Sequence, residues 1–581
     1  MSKPAGKARR PAPQPAITRS EPLPPVNRPQ WLTWSIVLLA AVAVFSRYWF
    51  GIGDSDFWWH LKTGQYIWLN HKLPVPDPFA YTTYLHPDAY SGESLVRFFN
   101  LTHEWLAQIA FYAVYSAGGA TGITILRALA LTLICGITGL IAWRRTAGFY
   151  RSVAVALLVM LSCTWIAGER PYLFTYVFLV TTLAILEYRR WLWALPPLFL
   201  VWANMHGAFF LGWIIVGAYC LNTLIARARG AATPNHRTLL ICSAAAVLIS
   251  GLNPNGFHII QILLDYRNSP LQTSITEWQR PKYWELSTFT VILYGSLAAL
   301  LWARGRARIS DWLLYLLFAI AALSAVRNII LIGIIGPLIL ASYLPLPDPQ
   351  RLLPTLRTLP ATLAFAAVLA LAARIVTMPH APFNASDWRF SPGAADFLLQ
   401  HHVTARIFNS YESGGYLIWR LWPQNQVFID GRALSEATFA DYRRIAFNAD
   451  SSTGASSEQL LAQYKVSAIV MPMIDYSGKV YLLPAALSDP SQHEWKLVYT
   501  DPEAVIYMKD PPPGVTPLPP NAALSAMEAQ CNLMLDRAGD DCARGVADLY
   551  SKIGDTRRAA QWMAVYQSRG GATGAQYGGL R

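Results

Sequence analysis

Eleven apolar stretches close to membrane-spanning length constrain this chain most strongly. A transmembrane helix needs roughly 20 largely apolar residues, or about 17 at the short end. The stretches lie near 31–50, 121–143, 152–168, 171–188, 191–204, 207–226, 238–253, 288–303, 310–326, 329–345 and 358–376, with a shorter apolar segment at 104–118. Hydrophobic residues make up 54% of the chain and charged residues only 14%. The sequence therefore predicts an α-helical polytopic membrane protein with about 11–13 transmembrane helices over 31–376.

The arginines of the loops indicate how the chain is oriented. Residues 1–30 are basic and proline-rich with no apolar run, which predicts a disordered cytoplasmic tail and not a signal peptide. Five later clusters fall on this same side if the spans from 121 onward alternate: Arg144, Arg145 and Arg151; Arg189 and Arg190; Arg227, Arg229 and Arg237; Arg304, Arg306 and Arg308; Arg351 and Arg357. The net charge of +13 is therefore explained largely by arginines that orient the chain in the membrane. We expect the lipid bilayer as a partner and no nucleic acid.

One crossing is left open by this reasoning. With the amino terminus inside and the loop at 51–103 outside, Arg144 lies inside only if 104–118 is re-entrant or interfacial. If 104–118 crosses the membrane, one downstream assignment changes.

The segment Asp54–His60 places two carboxylates and a histidine beside an aromatic cluster, directly after the first apolar span. Acidic side chains at a membrane boundary are costly to desolvate, so a pair kept there often binds a cation, accepts a proton or holds a polar substrate. The alternative is an aromatic belt at the membrane interface with solvated acids beyond it. Residues 57–69 fit an amphipathic helix on the membrane surface.

Further polar residues collect on the outer side, at the ends of apolar stretches. They are Glu169, Arg170, Asn204, His206, Asn253, Glu277, Arg327 and Asn328. Each one alone is explained by helix termination. Together they predict an external cavity lined by the first-loop acids and by Arg170, His206, Glu277 and Arg327.

The composition becomes that of a soluble α/β domain over 377–510. We expect a helix at 392–401, extended segments at 406–409 and 416–419, strands at 427–429 and 468–471, and a hairpin formed by 495–499 and 504–508. Asp430 and Arg432 flank Gly431 at a strand end. They either contact substrate or form a tight turn with positive φ at Gly431 and an Asp430–Arg432 ion pair.

A proline-rich linker at 511–520 is followed by a helical tail at 521–567 and a disordered end at 568–581. The tail resembles one tetratricopeptide helix pair and is expected to pack on the preceding domain. Cys531 and Cys542 can meet across a helical hairpin, which predicts a disulfide in an exported domain. The alternative is two free thiols.

Several motifs resemble bacterial polytopic proteins related to the GT-C glycosyltransferases. The similar segments are 54–64, 76–79, 103–106, 170–174, 202–207, 252–256, 327–328, 409–416 and 428–432, so the similarity covers about residues 30–510. GT-C enzymes generally transfer a sugar from a polyprenyl-phosphate carrier outside the membrane, with an acidic residue of the first external loop.

The resemblance implies an inverting membrane glycosyltransferase in a bacterial inner membrane, with an extracytoplasmic acceptor. It implies Asp54 or Asp56 as the catalytic base, or as ligands of Mg²⁺ or Mn²⁺, a metal that many GT-C members do without. Substrate contacts are assigned to His60, His103, Glu104, Arg170, Asn204, His206, Glu277, Arg327, Asp430 and Arg432. The alternatives are a transporter or flippase of lipid-linked saccharide, and a non-catalytic envelope assembly protein.

Overall fold

A computed structural model describes residues 30–266, 269, 276–344, five positions between 360 and 370, 389–447, 455–535 and 541–569. Nearly all of the predicted tail at 1–30, the stretch at 358–376 and the domain boundary at 377 lie outside these residues, as does most of 568–581.

The amino-terminal part consists of thirteen α-helices among the described residues. In chain order they are α1 Gln30–Tyr48, α2 Phe57–Asn70, α3 Glu93–Thr102, α4 Trp105–Thr146, α5 Phe149–Ser162, α6 Tyr172–Tyr188, α7 Leu195–Met205, α8 Phe210–Ala228, α9 His236–Ile249, α10 Ile259–Tyr266, α11 Thr288–Trp302, α12 Ile309–Ser324 and α13 Ile329–Tyr343.

Ten of the predicted apolar stretches form helices. Five segments of the described chain are long and apolar enough to cross a membrane: Gln30–Tyr48, Glu93–Thr146, Phe149–Ile166, Gly207–Ala228 and Val326–Tyr343. Five shorter apolar helices lie at Tyr172–Tyr188, Leu192–Met205, His236–Ile249, Thr288–Trp302 and Ile309–Ser324. These helices share one large apolar core. The predicted class, a helical membrane protein with a carboxyl-terminal α/β domain and helical tail, is confirmed.

Helix α4 is broken at Gly119, where φ is 57° and ψ is −151°. Only glycine adopts this conformation without strain. The part before the break, which includes the ambiguous segment 104–118, packs against α2: a Cβ at Gly64 would lie within 2.5 Å of the Gln108 carbonyl carbon.

Helix α2 confirms the predicted helix at 57–69, but its surroundings differ from the prediction. Phe57, Trp58, Trp59 and Leu61 are buried by protein and do not face lipid. The Trp58 ring packs edge-on to Tyr416 at 5.2 Å. Lipid and a protein core cover the same apolar side chains equally well, so the sequence pattern alone does not distinguish the two.

The carboxyl-terminal domain contains a four-stranded sheet in the order β1-β2-β4-β3. The strands are β1 Ile407–Asn409, β2 Ala468–Met471, β3 Lys496–Thr500 and β4 Val505–Met508. Strands β1 and β2 are parallel, and β4 is antiparallel to both β2 and β3. The helices are α14 Pro392–Gln400, α15 Gly414–Leu421, α16 Glu436–Ala446, α17 Ser457–Gln463 and α18 Leu482–Ala486. The predicted helix at 392–401, the strands at 406–409 and 468–471 and the hairpin are confirmed.

Two segments that were predicted to be extended have a different structure or a different partner. Residues 416–419 lie within helix α15, where Leu417, Ile418 and Leu421 are buried at helical spacing. Val427 does not join the sheet. It forms a parallel bridge with Ala80 of the first loop, so its partner comes from about 350 residues earlier.

The helical tail comprises α19 Ala522–Leu535, α20 Asp541–Lys552 and α21 Thr556–Ser568. All three helices pack into the core of the α/β domain, as expected. The linker contains a turn in which Val515 N–H donates to the Pro512 carbonyl, and Leu518 N–H donates to the Leu497 carbonyl at 2.7 Å. The predicted disulfide joins Cys531 and Cys542, whose Cα atoms are 5.6 Å apart.

Candidate functional site

Arg170 joins three acidic residues at one end of the membrane helices. Its Nε donates to Asp54 Oδ2 at 2.6 Å, its Nη2 lies 3.0 Å from Asp56 Oδ2, and its Nη1 lies 3.2 Å from Glu277 Oε1. These four residues are called the acid–arginine group below. The sequence analysis considered a divalent cation between Asp54 and Asp56. In the structure the guanidinium of Arg170 lies at that position and supplies positive charge.

A buried ion pair positions this group. Arg127, in the middle of α4, contacts the carboxylate of Glu169, and both side chains are 1% exposed. Glu169 Oε2 lies 3.4 Å from the Asp54 backbone N–H, and Pro171 directly precedes α6. Asp54 Oδ1 accepts the Asp56 backbone N–H at 3.0 Å. The two acids are therefore fixed by local chain geometry as well as by Arg170.

The two carboxyl groups have opposite pKa shifts. Burial disfavours the charged form of both, but the charge and hydrogen bond of Arg170 lower the pKa of Asp54. Burial raises the pKa of Asp56 to about 6, and the charges of Asp54 and Glu277 act in the same direction. The charged form is therefore favoured more strongly at Asp54 than at Asp56.

Glycines bring the carboxyl-terminal domain against this group. A Cβ at Gly415 would lie 2.5 Å from the Ser55 carbonyl oxygen, and one at Gly431 would overlap Asp56 Oδ1. On the membrane side, a Cβ at Gly168 would lie 2.6 Å from Asp54 Oδ2. The acids therefore lie at a closely packed junction between the two parts of the chain.

Arg432 forms the ion pair that was the alternative interpretation of this segment. Its Nε donates to Asp430 Oδ1 at 2.6 Å, and its Nη1 donates to Asp77 Oδ1 at 2.8 Å. The Arg432 side chain is 2% exposed, so Asp430 and Arg432 connect the α/β domain to the first loop. Gly431 is not among the glycines with positive φ; it is needed for its contact with Asp56.

Three histidines surround Glu104 beside the acid–arginine group. Glu104 Oε1 lies 3.3 Å from His103 Nε2 and 3.6 Å from His206 Nε2, and its Oε2 lies 3.5 Å from His60 Nδ1. Burial lowers the pKa of His60 to about 4, so this imidazole is neutral at pH 7. We call these four residues the histidine–glutamate group.

Close backbone packing brings the histidines together. A Cβ at Gly207 would lie 3.0 Å from His103 Cδ2, so glycine allows the turn at His206 to approach His103. Asn204 has a structural role in this turn. Its Oδ1 accepts Trp105 Nε1–H at 2.8 Å, and its Nδ2 lies 2.9 Å from the carbonyls of Leu200 and Leu252.

Arg327 lies beside the same loop as Glu277. Its guanidinium is 4.5 Å from the ring centre of Trp278. The loop is held in place because Val326 N–H donates to the Gln279 carbonyl at 2.9 Å. Arg327 is half-buried, and among the described residues no carboxylate pairs with it. Its charge is therefore available to an anion.

The sequence interpretation missed two residues of the α/β side. Arg389 Nη1 donates to the Gly53 carbonyl at 2.8 Å, next to Asp54. Glu412 accepts the Tyr481 hydroxyl at 2.8 Å, and burial raises its pKa to about 7. Glu412 lies in the segment 409–416 that carries the family resemblance, which is the one signal that could have identified it. No pattern in the sequence singles out Arg389.

No protein-family model matches the chain, and no curated protein matches it. Among solved structures it is similar to the crystal structure of the Archaeoglobus fulgidus oligosaccharyltransferase in the apo form, with a TM-score of 0.49 and 13% identity over 87% of this chain and 78% of that one. It is also similar to the oligosaccharyltransferase AglB of that archaeon in complex with an inhibitory peptide and a dolichol-phosphate, with a TM-score of 0.49 and 12% identity over 92% of this chain and 86% of that one.

Proposed function

We propose that this chain is a membrane glycosyltransferase that moves a sugar from a polyprenyl-phosphate carrier to a hydroxyl or amide acceptor. The observation that carries the proposal is the acid–arginine group, in which the Arg170 guanidinium contacts the carboxylates of Asp54, Asp56 and Glu277 at the end of the membrane helices. A lipid-linked donor would present its phosphate at this depth.

In the proposed reaction, Asp56 accepts the proton of the acceptor and Arg327 stabilises the departing phosphate. The acceptor oxygen or nitrogen attacks the anomeric carbon and loses its proton to the Asp56 carboxylate, while the bond between that carbon and the phosphate oxygen breaks. The carrier leaves as polyprenyl phosphate. Its negative charge is stabilised by Arg327, which lies in the same outer region and has no carboxylate partner among the described residues. Asp54 keeps Arg170 in place.

The direct test is release of the carrier. Purified protein is incubated with short-chain polyprenyl-phosphate sugars and a lysate-derived acceptor fraction, and free polyprenyl phosphate is measured. Release that depends on both acceptor and Asp56 supports transfer. Movement of the intact donor across proteoliposome membranes without release would instead identify a flippase, and the absence of both would favour an assembly protein.

Replacing Arg327 by Ala should weaken use of the donor more than use of the acceptor. Hydrogen bonds to charged groups contribute about 1.5–3 kcal/mol, so the donor KM should rise roughly 10- to 100-fold. Arg280→Ala is the matched control, because Arg280 is exposed in the same loop. An equal change of both KM values, or no change, would remove Arg327 from the donor site.

We also propose that the amino terminus is cytoplasmic and the α/β domain extracytoplasmic, in a bacterial inner membrane. Arg145 and the partly exposed Arg308 form an ion-pair network with the buried Glu187 and Asp311, at the end of α6 opposite Arg170. A single cysteine replacing the exposed Ser491 should react with an impermeant maleimide on spheroplasts, and one replacing the exposed Arg306 should react only after lysis. The reverse pattern would invert the topology.

A further inference from the structure

We propose that His103, Glu104 and His206 form a binding site for a divalent transition-metal ion of the zinc type. The three residues come from the turn before α4 and from the turn between α7 and α8. Their donor atoms all lie within 4.8 Å of one another. Glu104 and His206 are 8% exposed, so a bound ion would be largely shielded from solvent.

The separations of the donor atoms are close to those between ligands that share one metal ion. A hydrogen bond between an imidazolium and a carboxylate is typically about 2.7–2.9 Å long. Glu104 Oε1 is instead 3.3 Å from His103 Nε2 and 3.6 Å from His206 Nε2. Two ligands bound tetrahedrally to zinc at about 2.0–2.1 Å are roughly 3.4 Å apart.

The other ring nitrogen of His103 has the partner expected of a metal ligand. His103 Nδ1 lies 2.7 Å from the Phe99 carbonyl. Since a carbonyl only accepts hydrogen bonds, Nδ1 carries the proton, and in the neutral ring Nε2 presents a lone pair to the Glu104 carboxylate. Two lone pairs at this distance need a cation or a second ring proton between them. Metal-binding histidines commonly have such a carbonyl partner.

The second histidine is held by a hydroxyl. His206 Nδ1 lies 2.9 Å from Thr175 Oγ1, which in turn accepts Trp202 Nε1–H at 2.9 Å. The Ala208 N–H also lies 3.2 Å from Nδ1, so in the metal-free protein the proton of the neutral ring is on Nε2. A metal ion bound at Nε2 would require the tautomer with the proton on Nδ1, which would donate a hydrogen bond to Thr175 Oγ1 in place of accepting the Ala208 N–H.

The donor set indicates the class of metal. Two imidazoles and one carboxylate suit Zn²⁺ and related ions, whereas Mg²⁺ and Ca²⁺ prefer oxygen ligands throughout. Three protein ligands leave a tetrahedral ion with one open position, as in catalytic zinc sites. If the open position also held the carrier phosphate, that role would rest on the function proposed above. Metal binding itself is independent of the proposed function.

The test measures metal content and affinity without any transfer assay. Protein purified with a histidine-free tag is depleted of metal and titrated with Zn²⁺ against a chromophoric chelator, and the bound metal is counted by mass spectrometry. We expect one tightly bound Zn²⁺ per chain that is not displaced by excess Mg²⁺. Co²⁺ at the site should give the strong visible absorption of a tetrahedral complex.

Glu104→Gln and His206→Ala should each lower the Zn²⁺ affinity at least about 100-fold, since loss of an outer partner alone often costs 10- to 100-fold. His258→Ala removes an exposed histidine and should leave affinity unchanged. Asp54→Asn and Asp56→Asn test binding at the acid pair and should also leave it unchanged.

Unfolding midpoints and elution profiles show whether Glu104→Gln or His206→Ala fails to fold. If one of them does, the Zn²⁺ affinity of the other variant tests the proposal. Absence of stoichiometric Zn²⁺ from the folded wild-type protein would overturn the proposal, as would unchanged affinity in both site variants. Neither result would affect the proposed transfer. Conversely, a chain that binds Zn²⁺ but transfers no sugar would refute the proposed function and leave the site intact.

Discussion

Replacing Asp56 by Asn is expected to lower sugar transfer at least about 100-fold, because a positioned general base contributes about 10²–10⁴-fold to a rate. The amide keeps the size of the side chain but cannot accept the acceptor's proton. Expression and the unfolding midpoint should stay near wild type, since Asp56 makes one ion-pair contact to Arg170. Initial rates of polyprenyl-phosphate release measure the loss.

The dependence on pH separates Asp56 from Asp54. A base acts in its deprotonated form, so wild-type activity should fall as the pH drops through about 6, the pKa of Asp56. Asp54→Asn should also impair transfer, because Arg170 loses the carboxylate that accepts its Nε–H. The remaining activity should still fall as the pH is lowered, because Asp56 is present. Asp396→Asn removes a half-exposed, ion-paired carboxylate and serves as control. Full activity in both Asp54→Asn and Asp56→Asn would exclude these acids from catalysis.

Replacing Arg432 by Met should destabilise the folded protein by about 3–5 kcal/mol, the typical cost of leaving buried charge uncompensated. Asp77 and Asp430 would then face each other without their shared cation. Thermal or denaturant unfolding in detergent, followed by tryptophan fluorescence, measures the change. Arg420→Met is the matched control, because its ion pair to the half-exposed Asp396 is open to solvent on one side and worth about 1 kcal/mol at most.

A combined variant sharpens this result. Adding Asp77→Asn and Asp430→Asn to Arg432→Met removes all three charges and should restore part of the lost stability. If Arg432→Met unfolds like the wild type but loses donor binding, Arg432 contacts substrate, and the ion pair is incidental.

The sequence predicted the parts of this fold whose signals are local. Apolar length identified ten apolar helices, two runs of strand-forming residues on either side of a turn identified the β3–β4 hairpin, and a spacing of eleven residues identified the disulfide. The environment of α2 was not predictable, because Trp58 and Trp59 would be buried equally well by lipid. The partner of Val427 was also not predictable, since Ala80 carries no strand signal of its own.

The site shows the same division. Asp54, Asp56 and Arg170 were identified because acids and arginines at helix ends are conspicuous in an apolar chain, and the structure brings them together. That Glu104 meets three histidines depends on the packing of α2, α4 and α7, which no local pattern encodes. The pairing of Arg432 with Asp77 as well as Asp430 was not predictable, because Asp77 lies more than 300 positions earlier in the chain.

The glycine contacts around Asp56 bear on the order in which the site is completed during synthesis. Asp54, Asp56 and Arg170 are translated early, whereas Gly415 and Gly431, which pack against the acid segment, leave the ribosome some 250 residues after Arg170. Until then Asp56 remains hydrated, and the burial that raises its pKa has not formed. A nascent or truncated chain thus contains Asp54 and Asp56 but lacks the burial that raises the pKa of Asp56. Truncation before residue 414 should therefore inactivate the protein even where the membrane helices insert normally.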